Sequence, residues 1–181
     1  MGNANSVPVT RSLGEFVQGL RWDHVPEEVR EHIKRCVLDT IGCGLFGSTL
    51  EWGQLAIRFG RLLGSGEEAV VWGTDSRVPA HQAALVNGTL VHSFEMDDLH
   101  KVAVIHPGAK TVPSALAVAE RLAYRENQVI SGRQFLTAVI AGYEVGCRVG
   151  VASGANQLKR GFHPSATSGT FGAAASVAKL L

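Results

Sequence analysis

The chain has 181 residues and 19.2 kDa, enough for one domain with a substantial core and too short for two ordinary ones. Hydrophobic residues make up 45% and charged residues 18%, against roughly 25% charged in average soluble domains, which excludes disorder and demands extensive burial. Lys+Arg 17 against Asp+Glu 16 leaves a net charge of +1, so there is no basic footprint for nucleic acid.

Cys36, Cys43 and Cys147 are an odd set without ligand-like spacing. Neither a disulfide framework nor a zinc site is expected, and a reducing compartment fits, the cytoplasm or, in a eukaryote, the mitochondrial matrix. The start of the chain lacks a basic stretch followed by an apolar one and is no secretory signal, although Met1 to Ser6 matches the short myristoylation pattern at Gly2. The apolar stretch from Thr137 to Ala152 is broken by Glu144 and Arg148, so no membrane span is expected.

Helical patterns dominate. Residues 1–11 are read as a flexible N-terminus, with Thr10 or Ser12 capping a short helix that carries Leu13, Phe16, Val17 and Leu20. Pro26, Glu27 and Glu28 open a longer helix, with proline in its first turn and carboxylates at the positive end of its dipole. Its apolar stripe is Val29, Ile33, Val37 and Ile41. A third helix is expected from Glu51 to Leu63, stopping at Gly64-Ser65-Gly66. Only Ala69 to Trp72 reads as a strand. Helices resume from Pro79 through Val91, from Val112 to Tyr124 with Pro113 in the first turn, and from Ser131, where Gln134 completes a capping box. Gly142, Gly146 and Gly150 recur every fourth residue, a spacing that lets another helix approach closely. Ser165 to Leu181 is helical and ends without a C-cap, as the front part of a larger protein would. The fold class is an all-α helical bundle.

Two stretches concentrate chemistry. His92 to Lys101, followed by His106-Pro107-Gly108, gathers Glu95, Asp97 and Asp98 with His92, His100 and His106. Carboxylates beside imidazoles can tune them for proton transfer; the same residues suit a solvated loop in which Asp97 or Asp98 caps a helix and His100 is exposed. His100 and His106 lack the i, i+4 spacing of a helical zinc pair and there is no HExxH, so no metal is expected. The second stretch, Lys159 to Gly169, places Lys159 and Arg160 before His163 and a Ser/Thr-rich helix start. That arrangement suits a carboxylate or phosphate, or else Ser165 simply caps the last helix.

Gly42-Cys43-Gly44-Leu45-Phe46-Gly47 spells the dinucleotide fingerprint but continues a helical stripe instead of following a strand. Its glycines should end that helix or admit a neighbour. Cys36 and Cys43 read as buried small hydrophobes, and Cys147 likewise, with Arg148 beside it able to lower its pKa.

Taken in order, Val37-Leu38-Asp39-Thr40-Ile41-Gly42, Ala84-Leu85-Val86-Asn87-Gly88, the His92 to Asp98 run, His106-Pro107 and Gly161-Phe162-His163-Pro164 resemble the MmgE/PrpD family of 2-methylcitrate dehydratases, cis-aconitate decarboxylases and an iminodisuccinate epimerase. The resemblance covers Leu13 to Leu181 and implies a helical domain over residues 12–181, truncated at its C-terminal end. The whole protein would also carry an α/β lid domain, form a homodimer, use no cofactor and act on a small carboxylic acid. By motif, Glu95 stands where decarboxylases carry an active-site Asp, and His106 and His163 match their His-Pro histidines. Leu99 stands where they carry a Thr, and the loop before His106 is one residue longer, which argues against cis-aconitate as the substrate.

From these positions His106 and His163 are expected to act as acid and base. Glu95 and Asp98 would set their tautomers, and Asp97, Lys101 and Arg160 would bind substrate. The family's lysines would lie beyond Leu181, leaving this fragment inactive alone. The alternatives are a non-catalytic helical interaction module and a metal-dependent hydrolase built on the Asp/His loop.

Overall fold

A computed structural model describes residues 8–64, 66–154 and 156–181. In chain order the elements are α1 (Val9–Gly19), a 3-10 turn at Trp22–His24, α2 (Glu27–Gly47), α3 (Glu51–Leu62), β1 (Ala69–Val70), β2 (Arg77–Val78), α4 (Ala80–His92), α5 (Gly108–Glu126), α6 (Gly132–Ser153) and the short α7 (Asn156–Lys159) and α8 (Pro164–Thr167), ending with α9 (Gly169–Leu180). The all-α class holds. The Gly2 pattern lies outside the described residues.

Helix α1 begins at Val9, ahead of the boundary expected at residue 12. Pro8 precedes it, and Thr10 and Ser12 lie inside the helix instead of capping it. Pro26 is the N-cap of α2, with Glu27 and Glu28 in the first turn. Of the expected stripe on α2 only Ile33 is fully buried; the buried edge continues through Cys36, Thr40, Cys43, Gly44 and Gly47. The fingerprint glycines are thus the last turns of a helix with no strand before it. A Cβ on Gly44 would strike the Trp72 ring, and one on Gly47 the Leu90 carbonyl of α4.

The expected strand pairs as Ala69↔Val78 and Val70↔Arg77 with a second strand that the pattern missed. Side chains from helices hold this hairpin. Asn87 donates to the Val70 carbonyl and accepts from the Trp72 N–H, both at 2.9 Å, while Glu120 accepts from the Val70 N–H at 2.6 Å. Two residues per strand carry no legible alternation.

Helices α4, α5, α6 and α9 form the centre, around Leu90, Val91, Val112 and Val139. Helix α5 starts at Gly108, four residues before the expected Val112, so Pro113 sits inside it. Proline has no N–H for the Ala109 carbonyl, and that oxygen instead faces Gly88, where a Cβ would come within 2.7 Å. The capping box at Ser131 and Gln134 opens α6 as expected. Gly142 and Gly146 face Gly172 of α9, while Gly150 faces Ala103 of the preceding loop. By length and composition α6 could cross a membrane, contrary to the sequence expectation; here half of its apolar window is buried within the bundle. The final helical segment breaks at Ser168 into α8 and α9.

Candidate active site

His92 is the last residue of α4, and the chain then runs irregularly from residue 93 to 107 before α5. Glu95 (φ 59) and Val104 (φ 53) sit in the left-handed region, which costs a non-glycine residue about 1–3 kcal/mol and concentrates at functional sites. His100 is used within the loop: its N–H donates to the Ile105 carbonyl at 2.9 Å and its Nδ1 accepts from the Ala103 N–H at 3.1 Å. The His106 N–H donates to the Ser165 hydroxyl at 3.0 Å. That bond joins the two chemistry-bearing stretches, because Ser165 lies in α8 and His163 is its N-cap.

Three imidazoles meet as a result. The ring of His92 lies 4.5 Å from that of His106 and 5.7 Å from that of His163, centre to centre. His163 is exposed at the rim, while His92 and His106 are half-buried. The Asp97 carboxylate, fully enclosed, sits 3.1 Å from His92 Nδ1 and 3.2 Å from His106 Nδ1. The carbonyl oxygen of Asp97 lies 3.3 Å from the same His106 nitrogen. A carbonyl only accepts, so His106 Nδ1 carries a proton, and in the neutral imidazole the lone pair is on Nε2. Glu95 comes within 3.3 Å of His92 Nε2 and 3.6 Å of His106 Nε2. His92 Nε2 is nevertheless buried without a well-aligned hydrogen bond, an acceptor or donor left for something that enters the site.

The paired aspartates therefore divide the work differently from the expectation. Asp97, expected to bind substrate, is enclosed and orients imidazoles. Asp98, expected to set tautomers, accepts from the Gly108 N–H at 3.0 Å and caps α5. Burial raises the Asp98 carboxyl above its ordinary range, and the Asp97 and Asp39 charges add to this, against the Gly108 hydrogen bond. Lys101 and Arg160 are exposed, and among the described residues neither makes an ion pair. Burial pushes all three thiols up to about 11. For Cys147 burial outweighs any lowering by Arg148, which pairs with Glu144 at 2.7 Å.

His92, Asp97 and His106 bring ligand atoms within 4.8 Å of one another, as do His92, Glu95 and His163. The fold thus assembles in space sets able to hold a divalent cation that the linear spacing did not display. His92 was missed as a site residue; its position where a helix runs into an acidic loop was the available signal. Lys110 was missed too, and it lines a hollow of about 500 Å³ together with His92. A larger hollow of about 920 Å³, beside α1 and α6, contains none of the three clustered histidines.

Residues 11–181 match the model of the MmgE/PrpD N-terminal domain. The chain belongs to the MmgE/PrpD family. It is 35% identical over 175 residues to the cis-aconitate decarboxylase of Homo sapiens and to the cis-aconitate decarboxylase-like protein oryM of Aspergillus oryzae. It is 29% identical over 174 residues to the cis-aconitate decarboxylase of Aspergillus terreus. Each alignment covers 96% of this chain; the chain spans 36% of the first two relatives and 35% of the third. Several of the motifs that carried the resemblance have a structural part to play. Asn87 holds the hairpin, Gly88 admits Ala109, and the acidic run, His106 and His163 form the imidazole cluster.

Proposed function

We propose that the whole protein containing this domain is a lyase acting on a small di- or tricarboxylic acid, without an organic cofactor, by moving a proton at a carbon beside a carboxylate. The observation that carries this reading is the Asp97-anchored His106, with a lone pair on Nε2, inside a cluster with His92 and His163. A weak carbon acid needs a positioned base and stabilisation of the developing charge. His106 Nε2 takes or returns the proton at carbon, and rim-lying His163 supplies the complementary proton. If the reaction is decarboxylation, the C–C bond to the departing CO₂ breaks and its electron pair is captured by that proton. In a dehydration the proton goes to the leaving hydroxyl. The Glu95 carboxylate lies 3.3 and 3.6 Å from the two Nε2 atoms of the inner pair, where an entering substrate displaces it.

The names of the relatives favour decarboxylation; the longer Glu95 side chain and Leu99 favour an acid other than cis-aconitate. The domain alone is inactive in this reading, and the whole protein is a cytoplasmic homodimer. The test is turnover of 2-methylcitrate, cis-aconitate and iminodisuccinate by the whole protein, before and after exhaustive chelation. His163→Ala should lower turnover at least 100-fold with an unchanged circular dichroism spectrum, and chelation should change nothing. Near-normal turnover in that variant removes His163 from the chemistry. Loss on chelation with recovery on adding a divalent metal moves the assignment to the metal-dependent alternative that the two ligand sets permit.

A further inference from the structure

We infer that Lys110 and the hollow it lines form a recognition subsite for a substrate carboxylate remote from the reacting carbon. The inference rests on the polycarboxylate reading above and assigns that acid's second anionic group to a place. The hollow, about 500 Å³, lies between α3, α4, α5 and α9 and is lined by Trp52, Leu85, His92, Lys110, Ser114 and Thr170 among others. His92 belongs both to this wall and to the imidazole cluster, so the hollow adjoins the cluster.

Lys110 is half-buried, yet among the described residues its amine has neither an ion-pair nor a hydrogen-bond partner. The amine is not sealed from solvent, so it stands as an open cation on the wall of the hollow. Here the stem crosses α9 at Gly169, where a Cβ would approach Lys110 Cγ to 3.0 Å. The glycine gives the side chain its path. The position is also poor for a purely structural cation, because Lys110 stands in the first turn of α5, at the positive end of that helix. Burial lowers its proton affinity, while the Asp97, Glu95 and Asp98 charges raise it. A carboxylate arriving in the hollow supplies the missing partner. Ser114, one turn further along α5, has a hydroxyl without a partner among the described residues and can donate to the same anion. The wall beyond is Trp52 and Leu85, which suits the carbon skeleton and leaves no second charge to compete.

The arrangement therefore selects acids with at least two carboxylates: one held at Lys110, the other at the carbon worked on by the histidines. Monocarboxylates lose the anchor.

The test uses the whole protein, with propane-1,2,3-tricarboxylate as an unreactive probe and butyrate as the single-charge control. Lys110→Met should raise KM for the polycarboxylate substrate, and Ki for the probe, about 10–100-fold, with kcat falling less than KM rises; Lys110→Arg should recover part of the loss. Independently, acetylation at Lys110, followed by mass spectrometry, should slow at least fivefold with the tricarboxylate and not with butyrate. Unchanged KM and Ki in a folded Lys110→Met protein overturn the subsite, as does failure of the tricarboxylate to protect Lys110. Should no polycarboxylate be turned over, the proposed reaction fails while protection at Lys110 still decides the subsite.

Discussion

Replacing Asp97 by Asn tests the core of the site, because the two side chains have the same shape and differ in what they can accept. The carboxylate accepts from His92 Nδ1 with its oxygens at 3.1 and 3.2 Å, and the nearer oxygen also lies 3.2 Å from His106 Nδ1, whose hydrogen bond goes to the Asp97 carbonyl. An amide accepts at one end and donates at the other. Its oxygen, left at the shared position, still serves His106, which the Asp97 carbonyl also holds at 3.3 Å. Its NH₂ group then meets the Nδ1–H of His92, and His92 escapes the clash by moving its proton to Nε2. A hydrogen bond to a charged group, worth about 1.5–3 kcal/mol, is lost at His92. The disturbed constellation should lose turnover by about 10²–10³-fold, or roughly 3–4 kcal/mol of barrier. Long-range ¹H–¹⁵N spectra of the histidine side chains read the tautomers directly, alongside turnover by the whole protein. The expected result is a His92 switch with His106 unchanged. A wild-type His106 protonated at Nε2 would refute the reasoning outright, and so would an Asp97→Asn protein with both tautomers and turnover within about threefold of wild type.

Asp98 and Gly47 offer separate checks on the scaffold. Because burial raises the folded-state pKa of Asp98 above its unfolded value of about 3.9, the folded chain holds the extra proton between the two values, and stability falls as pH rises through that window. Asp98→Asn keeps an acceptor for the Gly108 N–H and removes this slope; urea unfolding from pH 4 to 7 should show the wild type losing stability relative to the variant, and a difference that is flat or of opposite sign contradicts the assignment. At Gly47 a Cβ would collide with the Leu90 carbonyl, whereas at Gly42 nothing lies within 4 Å. Gly47→Ala should cost about 3 kcal/mol, some 6–12 °C in melting temperature, while Gly42→Ala should be neutral or slightly stabilising; equal melting temperatures would mean that helix contact does not explain these glycines.

What the sequence made legible was local. The proline and glutamates that open α2, the capping box of α6 and the four-residue glycine spacing each act within a turn or two, and each stands where periodicity placed it. What it concealed depends on partners far along the chain. The early start of α5 follows from Asp98, ten residues upstream, capping Gly108; the hairpin depends on Asn87 and Glu120. The meeting of the histidines needs the His106–Ser165 bond across 59 residues. No periodicity encodes such contacts, and the motif order that signalled the family did so without giving their geometry.

Asp97 and Asp98, adjacent and chemically identical, do different things in the fold. Asp97 is enclosed against two imidazoles, and Asp98 grips the first N–H of α5. Two such opposed anchors fix the backbone immediately after Glu95, which is held at φ 59 with its carboxylate against both inner Nε2 atoms. A glutamate gains nothing locally from that conformation, since its side chain is too long for the short backbone hydrogen bonds that help Asn and Asp occupy it. The strain persists because the anchors on either side, α4 and the capped start of α5, over-determine the loop. The same anchors that make the loop costly thus place Glu95 where an entering substrate must displace or bridge it.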